Sequence, residues 1–220
     1  MNKIIFTLLA VIGLAVFSSD VSAQFIRSIY TSPDFEQLAK DHKTLAIIPF
    51  DATVKLRPKQ MKDMSADDLA RMEEQEGESV QSALYSYFLR RKSKHNFRVD
   101  FQDVTRTNAL LAKNGIAYDV LGEYTSEDLA EILEVDGIIS GLLVTDKPMS
   151  DAGAVAVGVL FGISTATNSG KVAVNINDGA TGELLWKYEK ALSRELGSDT
   201  NQIINALMRK ASRKFPYIDK

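Results

Sequence analysis

Apolar residues follow two different spacings along the chain, and the spacing separates strands from helices. Continuous apolar runs at residues 44–50 and 135–144 predict two strands that are covered on both faces. Alternating apolar and polar residues predict further strands at residues 97–101, 171–178 and 183–192. A glycine-containing turn separates the last two, so the strands near the C-terminus are expected to form a meander.

Helical stripes fill most of the intervals between these strands. The longest begins at Ser65, a predicted N-cap, and its apolar stripe continues to Phe88. Gly77 is a candidate point at which this stretch divides into two helices. Helices that alternate with strands predict an α/β fold, with a mixed β-sheet flanked by helices, a C-terminal β-meander and a final helix. Shorter helices are predicted at residues 32–41, 103–114, 125–133 and 199–211.

Residues 154–178 carry the most unusual pattern of the chain. Large and small residues alternate over most of 154–164, and alternation resumes at residue 171 after a turn-rich gap. The pattern predicts a long β-hairpin, which leaves three interpretations open. It forms ordinary sheet strands, pairs with a partner, or enters a membrane, since about 9–11 residues span a bilayer as a tilted strand. Small residues favour the first, because they suit a closely covered strand. The candidate partner or membrane contacts are Val155, Val157, Val159, Phe161, Ile163, Val172, Val174 and Ile176.

The N-terminus has the pattern of an export signal. A positively charged start precedes an apolar run over residues 4–17, and the small-residue triplet Val-Ser-Ala ends at Ala23. This pattern predicts a secretory signal peptide over residues 1–23, whose cleavage leaves a single α/β domain over residues 24–220. A membrane anchor is the alternative, but the apolar run is shorter than the roughly 20 residues that a spanning helix needs.

Composition excludes several classes of chemistry. The 220 residues include no cysteine, which excludes disulfides, a thiolate nucleophile and thiolate metal sites. An N-terminal cysteine for lipidation is also missing, so we do not expect a lipoprotein. Two histidines argue against a multi-histidine metal site, and a net charge of -3 gives no reason to expect nucleic acid. The sequence therefore predicts no cofactor, no metal and no nucleic-acid partner.

Motifs for catalysis are missing as well. The sequence has no phosphate-binding G-x-x-x-x-G-K-[ST] loop, no G-x-G-x-x-G element and no G-x-S-x-G nucleophile elbow. His42 and His95 are interpreted as surface or capping residues. Asp136 and Asp146 flank a predicted strand and leave one alternative open, an enzyme that acts on carbohydrate or peptidoglycan. We predict instead that the protein is not an enzyme and has no catalytic residues.

Charged clusters coincide with the ends of predicted helices. Acidic residues are concentrated at residues 67–78, early in the long helix, and basic residues at 90–94, where it ends. A second basic cluster at residues 209–214 ends the last helix. Each arrangement complements the helix dipole, so these clusters are interpreted as solvated helix ends rather than as binding sites.

Three stretches carry a resemblance to a known family. They are the strand at residues 45–50, the helix and strand at residues 125–141, and the turn and strand at residues 178–186. Together they resemble the bacterial envelope superfamily of the curli-secretion channel subunit CsgG, the penicillin-binding-protein activator LpoB and the N-terminal domain of TolB. The resemblance covers roughly residues 43–215. It implies an α/β domain with a mixed sheet, no catalytic residues and a role through protein contacts.

These observations lead to one functional hypothesis and one alternative. The first is a non-enzymatic exported protein of the cell envelope, periplasmic or associated with the outer membrane, which acts through protein–protein contacts as an assembly or accessory factor. Its partner would be another envelope protein or a second copy of the chain, and membrane contact is not favoured. The alternative is an oligomeric outer-membrane secretion or pore subunit with a membrane hairpin at residues 154–178.

Overall fold

The structure is a computed structural model that describes residues 27–62, 64–146, 170–192 and 200–218. The strands are β1 (Arg27–Thr31), β2 (Thr44–Ile47), β3 (Asp51–Val54), β4 (Asp100–Phe101), β5 (Gly137–Thr145), β6 (Gly170–Asp178) and β7 (Leu184–Leu192). The α-helices are α1 (Phe35–Leu38), α2 (Pro58–Met61), α3 (Ala66–Lys92), α4 (Val104–Lys113), α5 (Ser126–Leu133) and α6 (Thr200–Ala211). Short 3-10 helices occur at Tyr118–Glu123 and Ser212–Lys214.

Within the described residues, seven strands form one mixed sheet in the order β1-β7-β6-β5-β2-β4, and β3 also pairs with β5. β5, β6 and β7 are consecutive antiparallel neighbours, which confirms the predicted C-terminal meander. β2 and β3 both run parallel to β5, and β4 runs parallel to β2. The predicted fold class, a mixed sheet with flanking helices, is confirmed.

The predicted strand at residues 44–50 is interrupted, and its continuation is β3. Ile47 pairs with Ile139 and Asp51 pairs with Leu142, so three residues of this strand lie opposite only two of β5. Such an extra residue is a β-bulge. Pro49 at its centre has no N–H to donate to a strand ladder. The N–H of Phe50 turns away from β5 and donates instead to the carbonyl of Gly77 in α3, at 3.2 Å.

Gly77 does not divide the long helix. α3 is 27 residues long and passes through Gly77 without a break. A Cβ at Gly77 would lie 2.2 Å from the carbonyl oxygen of Phe50 and 2.9 Å from the ring of Tyr118. The glycine therefore allows the helix backbone to approach the bulge closely. Ser65 caps this helix in a capping box with Asp68, as its sequence pattern predicts.

Each face of the sheet carries its own core. α3 and α6 cover one face, where Phe88, Trp186 and Tyr188 are fully buried. α4, α5 and the 3-10 helix at Tyr118–Glu123 cover the other face, but only around β2 and the first half of β5. The second half of β5 and the neighbouring part of β6 lie beyond this second layer and form the floor of a groove. In the part of the chain that the structure describes, no helix combines the length and apolarity needed to cross a membrane.

Candidate functional site

The eight residues of the predicted hairpin fall into two groups. Val172, Val174 and Ile176 lie on β6 and are at most 1% exposed, because their side chains face the core under α3 and α6. In this fold these three side chains are not available to lipid or to a partner. β6 itself is a central strand between β5 and β7. Val155, Val157, Val159, Phe161 and Ile163 lie outside the described residues.

His42 is not a surface residue, which corrects its interpretation from the sequence. Its side chain is 7% exposed and lies between Asp178 and Tyr217. Nε2 is 2.8 Å from the Asp178 carboxylate, and Nδ1 is 2.7 Å from the Tyr217 hydroxyl. With its proton on Nε2, the ring donates to Asp178 and accepts from Tyr217, so both nitrogens are satisfied. The sequence gives no signal of this burial, since both partners lie more than a hundred residues away.

Asp178 is held by its own turn as well as by His42. The backbone N–H groups of Ala180 and Thr181 and the Thr181 hydroxyl all donate to one carboxylate oxygen, at 2.7–3.1 Å. Burial works to raise the pKa of Asp178, but the hydrogen bonds from Thr181 and His42 outweigh it and hold that pKa below its usual value. Burial and the Asp178 carboxylate raise the pKa of Tyr217. These groups form a hydrogen-bond network that joins the end of β6, the segment between α1 and β2, and the C-terminal segment.

Asp136 and Asp146 do not form a carboxylate pair. They flank the two ends of the nine-residue strand β5, so about 30 Å of extended chain separates them. Hydrolysis of a glycoside needs two carboxyl groups within about 10 Å. Asp136 accepts hydrogen bonds from the N–H groups of Lys43 and Thr44, both at 2.8 Å, and so anchors the start of β2. Among the described residues, no group of three or more His, Asp and Glu side chains could hold a metal ion.

A groove of about 730 Å³ lies beside the bulge between β2 and β3, and we call it the bulge groove. Its floor is formed by β5 and β6 where the second helical layer ends. One wall is the 3-10 helix at Tyr118–Glu123, and another is β3. Its lining includes the polar and aromatic residues Asp51, Glu73, Tyr118, Asp119, Tyr124, Ser140 and Asn175.

Two side chains close the free edge of β3 along this groove. The Tyr118 hydroxyl accepts from the N–H of Ala52 at 2.8 Å and donates to the carbonyl of Phe50 at 2.9 Å. A carboxylate oxygen of Glu73 accepts from the N–H of Val54 at 2.9 Å. An edge strand with free N–H groups invites pairing with another strand. Here the N–H groups of Ala52 and Val54 already donate to side chains. A partner would therefore bind in the groove rather than pair with the strand edge.

The bulge groove is acidic. Asp51, Glu73 and Asp119 line it, and no lysine, arginine or histidine is among its described lining residues. Burial, with a smaller contribution from the nearby carboxylates, raises the pKa of Tyr118 to about 12, against the hydrogen bond from Ala52. The Tyr118 hydroxyl therefore keeps its proton at neutral pH. An acidic groove of this kind favours a ligand that brings a positive charge.

Asn175 places an unpaired acceptor in the floor of the bulge groove. Its neighbours Val174 and Ile176 face the core, so strand alternation directs Asn175 to the groove side, opposite Ser140 of β5. Its Oδ1 atom is buried and has no hydrogen-bond partner among the described residues. A buried acceptor without a partner costs about 1–3 kcal/mol. An N–H from a bound ligand would satisfy it.

The sequence carries two signals for this groove. One is Pro49, which interrupts an apolar run that otherwise predicts a single strand. The other is the alternation of Asn175 and Asn177 with apolar residues on β6. Asn177 is explained by its own turn, because its side chain donates to the carbonyl of Gly182 at 2.9 Å. Asn175 has no such local role.

Comparisons with known proteins show likenesses to solved structures only. No family model matches the chain, and no curated protein matches it. The C-terminal domain of LpoB from Salmonella enterica is similar at 10% identity and TM-score 0.36, covering 73% of this chain and 93% of that one. Lipoprotein GNA1162 from Neisseria meningitidis is similar at 10% identity and TM-score 0.40, covering 78% and 94%. The PelC dodecamer from Paraburkholderia phytofirmans is similar at 12% identity and TM-score 0.35, covering 84% and 92%.

LpoB, which the sequence resemblance named, is thus among the similar structures. At these TM-scores the likenesses assign neither a family nor a function. The resemblance to CsgG and TolB stays a prediction. One similar protein is described as a lipoprotein, whereas the present sequence contains no cysteine. The prediction that this chain is not a lipoprotein rests on that composition alone.

Proposed function

We propose that this protein is an exported, non-enzymatic accessory or assembly factor of the cell envelope, and that it binds a protein partner in the bulge groove. The single observation that carries the proposal is the buried, unpaired Oδ1 atom of Asn175 in the groove floor. A buried acceptor that lacks a donor is unfavourable, and a backbone N–H of a segment bound in the groove would satisfy it.

The groove also specifies the chemistry of the bound segment. Tyr118 and Tyr124 supply aromatic walls, which favour apolar side chains. Asp51 and Asp119 are exposed at the rim, where a lysine or arginine of the partner can pair with them while remaining partly in water. We therefore propose an extended partner segment that combines apolar residues with at least one basic residue.

The proposal of a non-enzymatic role rests on the hydrogen bonds that His42 and Asp136 make within the fold. His42 uses both ring nitrogens within the fold, and Asp136 caps backbone N–H groups. The hydrogen bonds of both groups hold distant segments of the fold together, and we propose a structural rather than a catalytic role for them. The proposal of export rests on the signal-peptide pattern of residues 1–23, which predicts a mature chain that begins at Gln24.

The peptide preference of the groove can be measured by selecting displayed random peptides on the purified mature protein. We expect enriched peptides to combine apolar residues with lysine or arginine. Asn175→Ala should weaken their binding about tenfold, because one buried hydrogen bond is lost. Asn175→Asp should retain binding, since it keeps an acceptor oxygen at the same place.

Lys113→Gln is the matched control, because Lys113 is exposed at the end of α4 and does not line the groove. Its peptide affinity should equal that of the unchanged protein. Peptides that bind Asn175→Ala as tightly as the unchanged protein would overturn the proposed site. Enrichment of acidic peptides would overturn the proposed partner chemistry.

A further inference from the structure

Two basic clusters that are far apart in the sequence meet in the fold. α6 packs along the C-terminal half of α3, and the guanidinium of Arg90 donates to the side-chain oxygen of Asn205. A groove of about 800 Å³ opens where α3 ends beside the 3-10 helix at Ser212–Lys214, and we call it the basic groove. The charged and titratable residues that line it are Glu36, Arg91, His95, Arg98, Arg213 and Lys214.

Among the described residues, positive charge exceeds negative charge in the basic groove. The described lining holds four permanent cations and one carboxylate, that of Glu36, which accepts from Arg98 through two guanidinium nitrogens at 2.9 and 3.3 Å. Among the described residues, Arg91, Arg213 and Lys214 have no carboxylate partner. The whole chain carries a net charge of -3, so this concentration of cations runs against its average composition. An anion is the ligand that would neutralise it.

Arg91, which lines the groove, also has an unsatisfied donor. Its Nε atom is buried and has no hydrogen-bond partner in the described structure. A buried N–H of a charged group that lacks an acceptor is costly, because it has lost water and gained nothing in exchange. An anionic oxygen in the groove would accept from this N–H. Arg91 is thus an observation independent of the count of charges, and it points to the same kind of ligand.

Arg98 is held in place by other contacts. It donates to the carbonyl of Pro216 at 2.9 Å, and its guanidinium lies 5.7 Å from the centre of the Phe35 ring. A cation that is already positioned loses little entropy when a ligand binds. Phe215 and Ile218 line the same groove and give it an apolar wall. The groove therefore suits an anion attached to an apolar body.

We propose that the basic groove binds a phosphate group carried on an apolar body. Arg91, Arg213 and Lys214 would neutralise the phosphate, and Phe215 would contact the apolar part. A phosphate monoester carries about −1.5 to −2 charges and several acceptor oxygens, so it matches three cationic side chains better than a single carboxylate does. Such a group can come from a lipid headgroup or from a soluble phosphate ester. This inference does not depend on the bulge groove.

Binding can be measured by titration calorimetry of the purified mature protein with three probes. They are hexyl phosphate, dihexanoyl phosphatidic acid and uncharged dihexanoylglycerol. We expect both phosphate probes to bind, with affinity that falls as salt is raised, and the uncharged probe not to bind. Tighter binding of phosphatidic acid than of hexyl phosphate would indicate a lipid headgroup as the source, and equal binding would indicate a soluble ester.

Two variants connect binding to this groove. Arg91→Gln and Arg213→Gln should each raise the Kd for phosphatidic acid at least tenfold, while their unfolding transitions in urea stay close to that of the unchanged protein. Lys113→Gln removes the same charge outside the groove and should leave the Kd unchanged. The proposal is overturned if neither phosphate probe binds, if dihexanoylglycerol binds as tightly, or if all three variants change the Kd equally.

Discussion

Gly77→Ala is expected to lower the free energy of unfolding by about 3 kcal/mol, opposite in sign to the effect of this substitution in most helices. At an ordinary helix position alanine is more favourable than glycine by about 1 kcal/mol. At Gly77 the added Cβ would lie 2.2 Å from the carbonyl oxygen of Phe50, which is backbone and cannot move aside cheaply. Overpacking of this kind typically costs about 1–3 kcal/mol, and the hydrogen bond from Phe50 to Gly77 would be strained as well.

The measurement is equilibrium unfolding in urea, with Gly122→Ala as the matched control. Nothing lies within 4 Å of the position that a Cβ at Gly122 would occupy. Its effect should therefore stay within about 0.5 kcal/mol. A Gly77→Ala variant that is as stable as the unchanged protein, or more stable, would mean that α3 does not contact the bulge. That result would also contradict the described geometry of the bulge groove.

Asp178→Ala is expected to lower the free energy of unfolding by about 3–5 kcal/mol. The carboxylate accepts from His42, from two backbone N–H groups and from the Thr181 hydroxyl, and its side chain is only 3% exposed. Removing it leaves the largely buried His42 ring without its acceptor and also removes the three hydrogen bonds that fix the turn at residues 178–181. Breaking a buried pair of this kind is among the most costly of single changes. Asp119→Ala removes an exposed carboxylate and should change the stability by less than about 0.5 kcal/mol.

The contribution of Asp178 to the free energy of unfolding is also expected to depend on pH. The pKa of Asp178 is lower in the folded protein than in the unfolded chain, so its contribution to stability is fully present above about pH 4. The contribution is lost as the pH falls through the lower folded value. The difference in stability between Asp178→Ala and the unchanged protein should therefore shrink on acidification below pH 4. An Asp178→Ala variant with unchanged stability at pH 7 would contradict the structural role of this network.

The elements that the sequence predicts well are those whose signal is local. The apolar runs of β2 and β5 and the capping residues of α3 and α5 depend on neighbours within a few positions. The sequence does not predict β1, because this strand has only five residues and most of them are polar. Its conformation depends on pairing with β7. The continuity of α3 through Gly77 depends on Phe50 and Tyr118, which no local pattern connects to it.

The candidate sites were harder to predict than the fold, because each is made by residues that meet only after folding. His42, Asp178 and Tyr217 come from three distant segments. The two basic clusters were interpreted separately as solvated helix ends, which is a sound interpretation of each cluster alone. Their meeting at one groove follows from the packing of α3 against α6. The residues singled out at 154–178 for their pattern proved to be core residues wherever the structure describes them.

The central claim is that an exported chain binds a protein partner in the bulge groove, and photo-crosslinking in the native cells tests it most directly. A photoreactive aromatic residue replaces Tyr124 in the groove or, as control, Leu89, which is 45% exposed on α3 outside it. We predict one adduct from position 124 in the envelope fraction, on a chain that begins at Gln24, and its loss when Asn175→Ala is added. An adduct that survives Asn175→Ala, equal adducts from both positions, or a chain retained in the cytoplasm would contradict the account.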